Sequence, residues 1–329
     1  MSTPPPAPLP LHPLGRTGLM VHPLCIGCAA LGDMPDTFAY SVAEEQALAT
    51  FGAVLDGPVY FIDTAASYGD GESERRLGQV LRARGGLPDG FVLASKADRD
   101  VHTGDFSGAQ VRRSVERSLR LLGIDQLQLC YLHDPEHTSF EAAMAPGGPV
   151  EALRRCKEEG LVAHIGVAGG PIPMMIRYVE TGLFEAAISH NRYTLLNVAA
   201  DPFFDACQRL GVAAINGAPY GSGILVKGPG AYARYAYQDA PPAVVERARR
   251  LEAVCARHGV PLAAVALQFS LRDPRIVSTI VGVSRPERLA QTMELARRPI
   301  PEGLWAELAA VPPATDDPEA DRWRQGAVG

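Results

Sequence analysis

Short apolar runs alternate with helix-period stripes along most of this chain. Runs at 24–29, 59–63, 91–96, 127–133, 161–167, 186–190, 212–216 and 276–281 are rich in Val, Ile, Leu and Ala and read as buried strands. Amphipathic stretches at 42–55, 72–84, 107–122, 150–159, 174–180, 202–210, 242–258, 262–271 and 286–296 read as helices; in the third, Val111, Val115, Leu119 and Leu122 share one face. A strand-then-helix repeat builds a parallel sheet, and eight units over ~250 residues is the size of a (β/α)8 TIM barrel. An open doubly wound sheet competes, but it opens with a glycine fingerprint after its first strand. Gly27-Cys-Ala-Ala-Leu-Gly32 lacks the three-glycine spacing and does not lead directly into a helix. The expected fold is an α/β barrel.

Outside the repeat, residues 1–13 are rich in proline and read as a disordered arm. Leu14-Gly-Arg-Thr-Gly-Leu-Met-Val21 reads as a hairpin turning at Thr17-Gly18. Residues 14–311 are expected to form one barrel domain and residues 312–329, polar and acidic apart from Trp323, a tail. The interval 217–241 carries many glycines and Tyr220, Tyr232, Tyr235 and Tyr237; an irregular stretch of that length is more often functional than accidental.

Length and composition exclude more than they assign. A chain of 329 residues fits two average domains or one large barrel, and 47% hydrophobic with 21% charged residues supports a substantial core. Net charge is −6 with Lys and Arg scattered, which leaves no nucleic-acid footprint. Arg75-Arg76, Arg112-Arg113 and Arg249-Arg250 fall on helical patterns as solvated faces. No apolar run reaches the ~18 residues of a membrane span, and no signal-peptide pattern opens the chain; a cytoplasmic location is expected. Of six cysteines, Cys25 and Cys28 have a redox-like spacing, but they sit in a strand pattern without the helix start that stabilises a thiolate, and no second pair completes a zinc site. Reduced core thiols and no bound metal are expected.

Chemistry gathers at the strand ends. The second strand ends in Asp63, with Tyr68 in the loop beyond; the third ends in Lys96 and the fourth in His133. In a parallel barrel these ends share one mouth, where catalysis is carried out. Singly, each has an ordinary explanation: a loop acceptor, a solvated lysine, a satisfied histidine. Together they suit proton transfer to or from oxygen. An ammonium beside a phenol favours the phenolate and lowers its pKa, a carboxylate holds the ammonium, and an imidazole orients the substrate oxygen. Tyr68 is then the acid/base, Lys96 its tuner, Asp63 the anchor and His133 the orienting donor.

Phe61-Ile-Asp-Thr-Ala-Ala-Ser-Tyr-Gly, Leu93-Ala-Ser-Lys96 and Tyr131-Leu-His133 resemble the catalytic-tetrad segments of the aldo-keto reductase superfamily, and the 14–21 hairpin resembles that family's barrel-bottom hairpin. Gly71-Glu-Ser-Glu-Arg-Arg-Leu-Gly, His133-Asp-Pro-Glu, Arg192-Tyr-Thr-Leu-Leu and His258-Gly-Val-Pro-Leu-Ala-Ala resemble its aldose-dehydrogenase branch, so that the likeness spans about residues 14–310. It implies a barrel binding NAD or NADP in extended form. It implies pyrophosphate contacts from Ala218, Pro219, Tyr220, Gly221, Ser222, Gly223 and Leu225. It also implies adenosine contacts from Gly282, Ser284, Arg285, Arg288, Gln291 and Thr292, with Gly282 where the family often has a lysine. Two departures concern the nicotinamide. Gly217 replaces the usual aromatic platform, and Ala168-Gly169 replaces the usual Ser-Asn pair, leaving His190 and Asn191 as candidate amide contacts. Asp134, Arg192 and Tyr220 are candidates for binding substrate.

The expected function is hydride transfer between nicotinamide and a sugar lactol or alcohol, or a small aldehyde or ketone, in carbohydrate metabolism. The expected partner is that small molecule, with no nucleic acid or membrane. A non-catalytic cofactor-binding regulatory subunit of the same fold and a barrel aldolase using Lys96 as a Schiff base are the rival readings.

Overall fold

The computed structural model describes residues 9–320. Eight parallel strands close into a barrel: β1 Leu24–Gly27, β2 Phe61–Asp63, β3 Val92–Ala97, β4 Leu127–His133, β5 Val162–Gly169, β6 Ala186–His190, β7 Ala213–Gly217 and β8 Ile276–Gly282, with β8 pairing back onto β1. This is the expected TIM barrel. Helices fall where the periodicity places them, Glu72–Arg84 and Leu262–Leu271 to the residue. The helix expected from 174 starts earlier, at Ile172, because proline in a first turn gives up an N–H that has no helical partner anyway.

Side-chain alternation along the strands sets the site. Phe61 on β2, Val92 and Ala94 on β3, and Leu129 and Tyr131 on β4 pack together inside the barrel, whereas Ile62, Leu93, Cys130 and Leu132 pack outward under the helices. Stepping on by two from Phe61, Ala94 and Tyr131 gives Asp63, Lys96 and His133, so the period of a strand points all three into the mouth. The opposite end is plugged by the expected hairpin. His12–Pro13 pairs antiparallel with Met20–Val21, the turn spans 14–19, and Leu14 and Val21 are buried in the interior cluster. The first strand therefore precedes the predicted segment, and the second is its last two residues. Residues 1–8 of the expected arm lie outside the described residues.

Two loops frame the mouth. After β1 a short 3-10 helix, Ala29–Gly32, packs backbone to backbone on the loop bearing Tyr68. A Cβ on Gly32 would stand 2.7 Å from the Tyr68 carbonyl oxygen, and one on Gly69, whose φ is +61°, would stand 1.9 Å from the Gly32 carbonyl oxygen. After β7, the long interval folds into a 3-10 turn Gly221–Gly223, a helical turn Ile224–Lys227 and a two-strand ribbon, Arg234–Tyr235 with Gln238–Asp239. It reaches across to the first loop, where the Tyr232 hydroxyl donates to the Phe38 carbonyl at 3.3 Å. All six cysteines are free and buried, and no single helix among the described residues is long and apolar enough to cross a membrane.

Gly69→Ala, which adds both a clash and left-handed strain, is expected to cost about 1–3 kcal/mol in urea unfolding and to lower turnover with it. Gly18→Ala, at φ +78° with nothing within 4 Å, is the control and is expected to lose stability without losing turnover. Equal turnover losses in both would remove the link between this contact and the position of Tyr68.

Candidate active site

Lys96 is the hub. Its Nζ donates to Asp63 Oδ1 at 2.5 Å, to the Thr64 carbonyl at 2.8 Å and to Tyr68 Oη at 2.9 Å, which uses all three ammonium protons. Lys96 and Asp63 side chains are each 3% exposed. Burial opposes the charge on Lys96, but the Asp63 carboxylate and the Tyr68 oxygen outweigh it and hold the ammonium well above the ordinary lysine range. A Schiff-base lysine needs a neutral amine with a free lone pair, so this geometry argues against the aldolase reading.

Tyr68 departs from expectation. Burial pushes its phenol up, and the lowering by Lys96 is only partial because Asp63 works against it, so the net direction is above the ordinary tyrosine value. The phenol is therefore a neutral donor near neutrality. Its ring stands edge-on to that of His133, with centroids 5.8 Å apart. His133 Nδ1 lies 2.6 Å from Asp98 Oδ1, and Nε2 lies 3.7 Å from Asp134 Oδ1. Burial disfavours its charge, yet Asp134 and Asp98 prevail and raise it above the usual imidazole value. Asp134, at φ +42°, is 34% exposed. Burial opposes its ionisation, but the imidazoles of His133, His190 and His137 with Lys96 keep it below the usual carboxylate range.

Three carboxylates here escaped the sequence reading. Asp98 sits one alternation beyond Lys96, so the strand period carried the signal. Glu136 folds back under the end of β5, where Oε1 accepts from the Gly170 N–H at 2.8 Å. Burial, then Asp134, pushes it up to about 8. Side chains on Gly169 and Gly170 would meet its oxygens at 2.6 and 2.9 Å. Glu319 comes from the tail and had no sequence signal.

Arg192 and Asn191 are covered by the tail. Arg192, expected to bind substrate, is fully buried, paired with Glu319 at 2.8 Å and Asp317 at 2.7 Å. Asn191, expected at the amide, is fully buried, facing Glu319 at 3.4 Å and accepting from the Ser222 hydroxyl at 3.3 Å. Both are committed to tying the tail to the barrel. His190 keeps an edge toward the mouth, 24% exposed, with Nε2 3.5 Å from Glu319. Tyr193 is core, its hydroxyl donating to Asp273 at 2.5 Å.

Residues 23–312 match the Aldo/keto reductase family. The chain belongs to that family. Among its relatives, D-threo-aldose 1-dehydrogenase of a Pseudomonas species is 33% identical over 318 residues, covering 89% of this chain and 94% of that protein. Pyridoxal 4-dehydrogenase of Microbacterium luteolum is 29% identical, covering 90% and 95% respectively. Among solved structures, an aldo-keto reductase of Bacillus halodurans in its holo form shares the fold at a TM-score of 0.74 and 21% identity, covering 93% of this chain and 97% of that one. As an aldo-keto reductase, the protein is an oxidoreductase of a family that uses nicotinamide cofactors.

The loop after β7 is where the pyrophosphate contacts are expected. Ala218, Gly221, Ser222 and Gly223 all have positive φ, and the loop closes on itself, with the Gly221 N–H donating to the Ala218 carbonyl at 3.0 Å and the Gly223 N–H to the Tyr220 carbonyl at 3.1 Å. The Tyr220 hydroxyl is buried with no hydrogen-bond partner, and the Arg288 guanidinium acts on it electrostatically. Leu225 is buried beneath, and Pro219 continues the turn. At the adenosine end Arg288 bonds Gln291 at 3.1 Å, Gly282 and Arg285 are exposed, the Ser284 carbonyl accepts from Gln46 at 2.6 Å, and Thr292 is buried.

Lys96→Met is expected to cost about 3–5 kcal/mol, because Asp63 loses its partner in a dry site. The loss should grow from pH 5 to pH 8: burial already raises Asp63, so alone it stays protonated when folded, whereas the unfolded chain ionises above about 3.9. Urea titrations at both pH values read this, and the double variant with Asp63→Leu should recover much of it. A pH-independent loss would refute the account.

Proposed function

We propose that the protein transfers hydride between NAD or NADP and a small polar carbonyl or its reduced partner, with the anomeric carbon of a sugar lactol as the first candidate, and that Tyr68 is the general acid/base. One observation carries the reading: Lys96 Nζ bonds Asp63 and Tyr68 at once, beside an imidazole whose ring faces the phenol. The relatives named for D-threo-aldose and pyridoxal favour a hydroxylated substrate, and the open Asp134 carboxylate suits one of its hydroxyls.

Hydride would be supplied or accepted by a nicotinamide when it is bound. The protein's residues do the rest. In reduction, the carbonyl oxygen rests between Tyr68 Oη and His133 Nε2; Tyr68 gives its proton to that oxygen, and the Lys96 ammonium, fixed by Asp63, stabilises the phenolate left behind. In oxidation the phenolate takes the hydroxyl proton, giving a lactone from a lactol. The Ala218–Leu225 loop, with Tyr220, would hold the pyrophosphate, and Ser284, Arg285, Arg288, Gln291 and Thr292 would lie toward the adenosine. Ser284 or Arg285 would be in reach of a 2′-phosphate, so NADP and NAD are both to be tried. His190 is the remaining candidate for the carboxamide.

Absorbance of reduced nicotinamide tests this with NAD⁺ and NADP⁺ separately against L-fucose, L-galactose, D-arabinose and pyridoxal. Tyr68→Phe is expected to lose about 10²–10⁴-fold in kcat. Cofactor binding with no turnover in either direction would instead favour the regulatory-subunit reading. Because Tyr68 is raised, the phenolate fraction climbs with pH. Oxidation kcat/KM is therefore expected to rise about tenfold per unit while deprotonation limits it; a flat profile between pH 7 and 10 would exclude Tyr68 as the limiting base.

A further inference from the structure

Asp98 lies outside the tetrad, yet it ties the site's three loops together. Its carboxylate is 9% exposed and both oxygens are engaged. Oδ1 meets His133 Nδ1 at 2.6 Å, and Oδ2 accepts the Ser67 N–H, next to Tyr68, at 2.9 Å. From behind, the Ser114 hydroxyl accepts the Asp98 backbone N–H at 3.0 Å and the Gln110 amide donates to its carbonyl at 3.3 Å, both from helix Gly108–Leu122. The carboxylate thus fixes the separation of the phenol and the imidazole that grip one substrate oxygen.

It also fixes a proton. An ionised carboxylate only accepts, so the Nδ1 it faces carries hydrogen. In the neutral ring Nε2, the nitrogen turned toward Asp134, is then a bare lone pair, and it donates to a substrate oxygen only as imidazolium. We propose that Asp98 is a positioning residue of the reaction: it holds His133 in the Nδ1–H form and thereby makes hydrogen-bond donation from Nε2 depend on a second proton. This rests on the function proposed above. His133 keeps both protons during turnover, and the proton delivered to the carbonyl oxygen comes from Tyr68.

The charged and titratable groups around His133 are Asp98 from the end of β3, Asp134 from its own strand end, Lys96 with Asp63 and Tyr68 on one side, and His190 across the mouth. The two nearest carboxylates favour the imidazolium; burial and Lys96 oppose it. The net direction is upward, so Nε2 is a donor at low pH and ceases to be one as pH rises through the ring's folded value. Reduction efficiency is therefore expected to fall along that limb.

Asp98→Asn is nearly isosteric. Its carbonyl can take the Ser67 N–H while its amide donates to Nδ1, which turns the neutral ring to the Nε2–H form. ¹⁵N spectra of histidine-labelled apoprotein, with His133 assigned by loss in His133→Asn, read this without substrate or cofactor. In the wild type the neutral form should be Nδ1-protonated and titrate above the ordinary histidine value. In Asp98→Asn it should be Nε2-protonated with its midpoint lower by about one unit or more. Asp98→Glu, which keeps the charge, should keep the raised midpoint. The pH limb of kcat/KM for reduction should move with the spectroscopic midpoint.

A purely structural role would lower stability or activity in both variants and leave tautomer and midpoint where they were, and that result overturns the proposal. An Nε2–H neutral ring in the wild type overturns it as well, even if Asp98→Asn fails to fold. The spectra stand apart from turnover, so an inactive wild type or an active Tyr68→Phe would strike the proposed function and leave the proton assignment to be judged on its own.

Discussion

A lysine ammonium taken out of water must be paired, and the geometry of this site follows from that requirement. Desolvating a charge costs several kcal/mol, which only close partners in good geometry recover. Lys96 meets the cost with one carboxylate, one carbonyl and one phenol, and these come from β2, the turn beyond it and the following loop. The pairing therefore fixes a distance between adjacent strands and draws the Tyr68 loop inward at the same time. A phenol so held is a donor whose conjugate base is stabilised before it forms, which is the useful property for adding a proton to oxygen.

Around that pair the scaffold works by close approach rather than by many polar contacts. Glycines at 32 and 69 let two backbone segments meet where side chains would hold them apart, and glycines at 169 and 170 leave room for the Glu136 carboxyl. Asp98 then links the second, third and fourth strand ends through a single carboxylate. The mouth is tightly tied where proton transfer is proposed and open at Asp134.

Much of this was legible in the sequence because two periods carry it. Apolar runs between helix-period stripes located the strands, and their shared ends brought Asp63, Lys96 and His133 together; strand alternation, continued past Lys96, also marks Asp98. Helix boundaries missed by a residue or two, where prolines and caps act. Periodicity did not reveal what long-range pairing decides. Arg192 and Asn191 sit just past the end of β6 and look accessible in one dimension, but the tail covers them. The direction of the Tyr68 shift was missed for a related reason: burial is a sum over neighbours that a linear reading does not contain.

The Arg192–Glu319 contact joins residues 127 positions apart. During synthesis the barrel strands emerge well before their last counter-ion, and until residues 317–319 arrive the guanidinium beside β6 has to stay hydrated or leave a charge unpaired. The wall of the mouth formed by His190 and Asn191 is thus assembled last, with the tail serving as a closing pin. The residues that close this wall follow the last barrel strand, Ile276–Gly282, so the wall of the mouth depends on chain that lies beyond the barrel's own repeat.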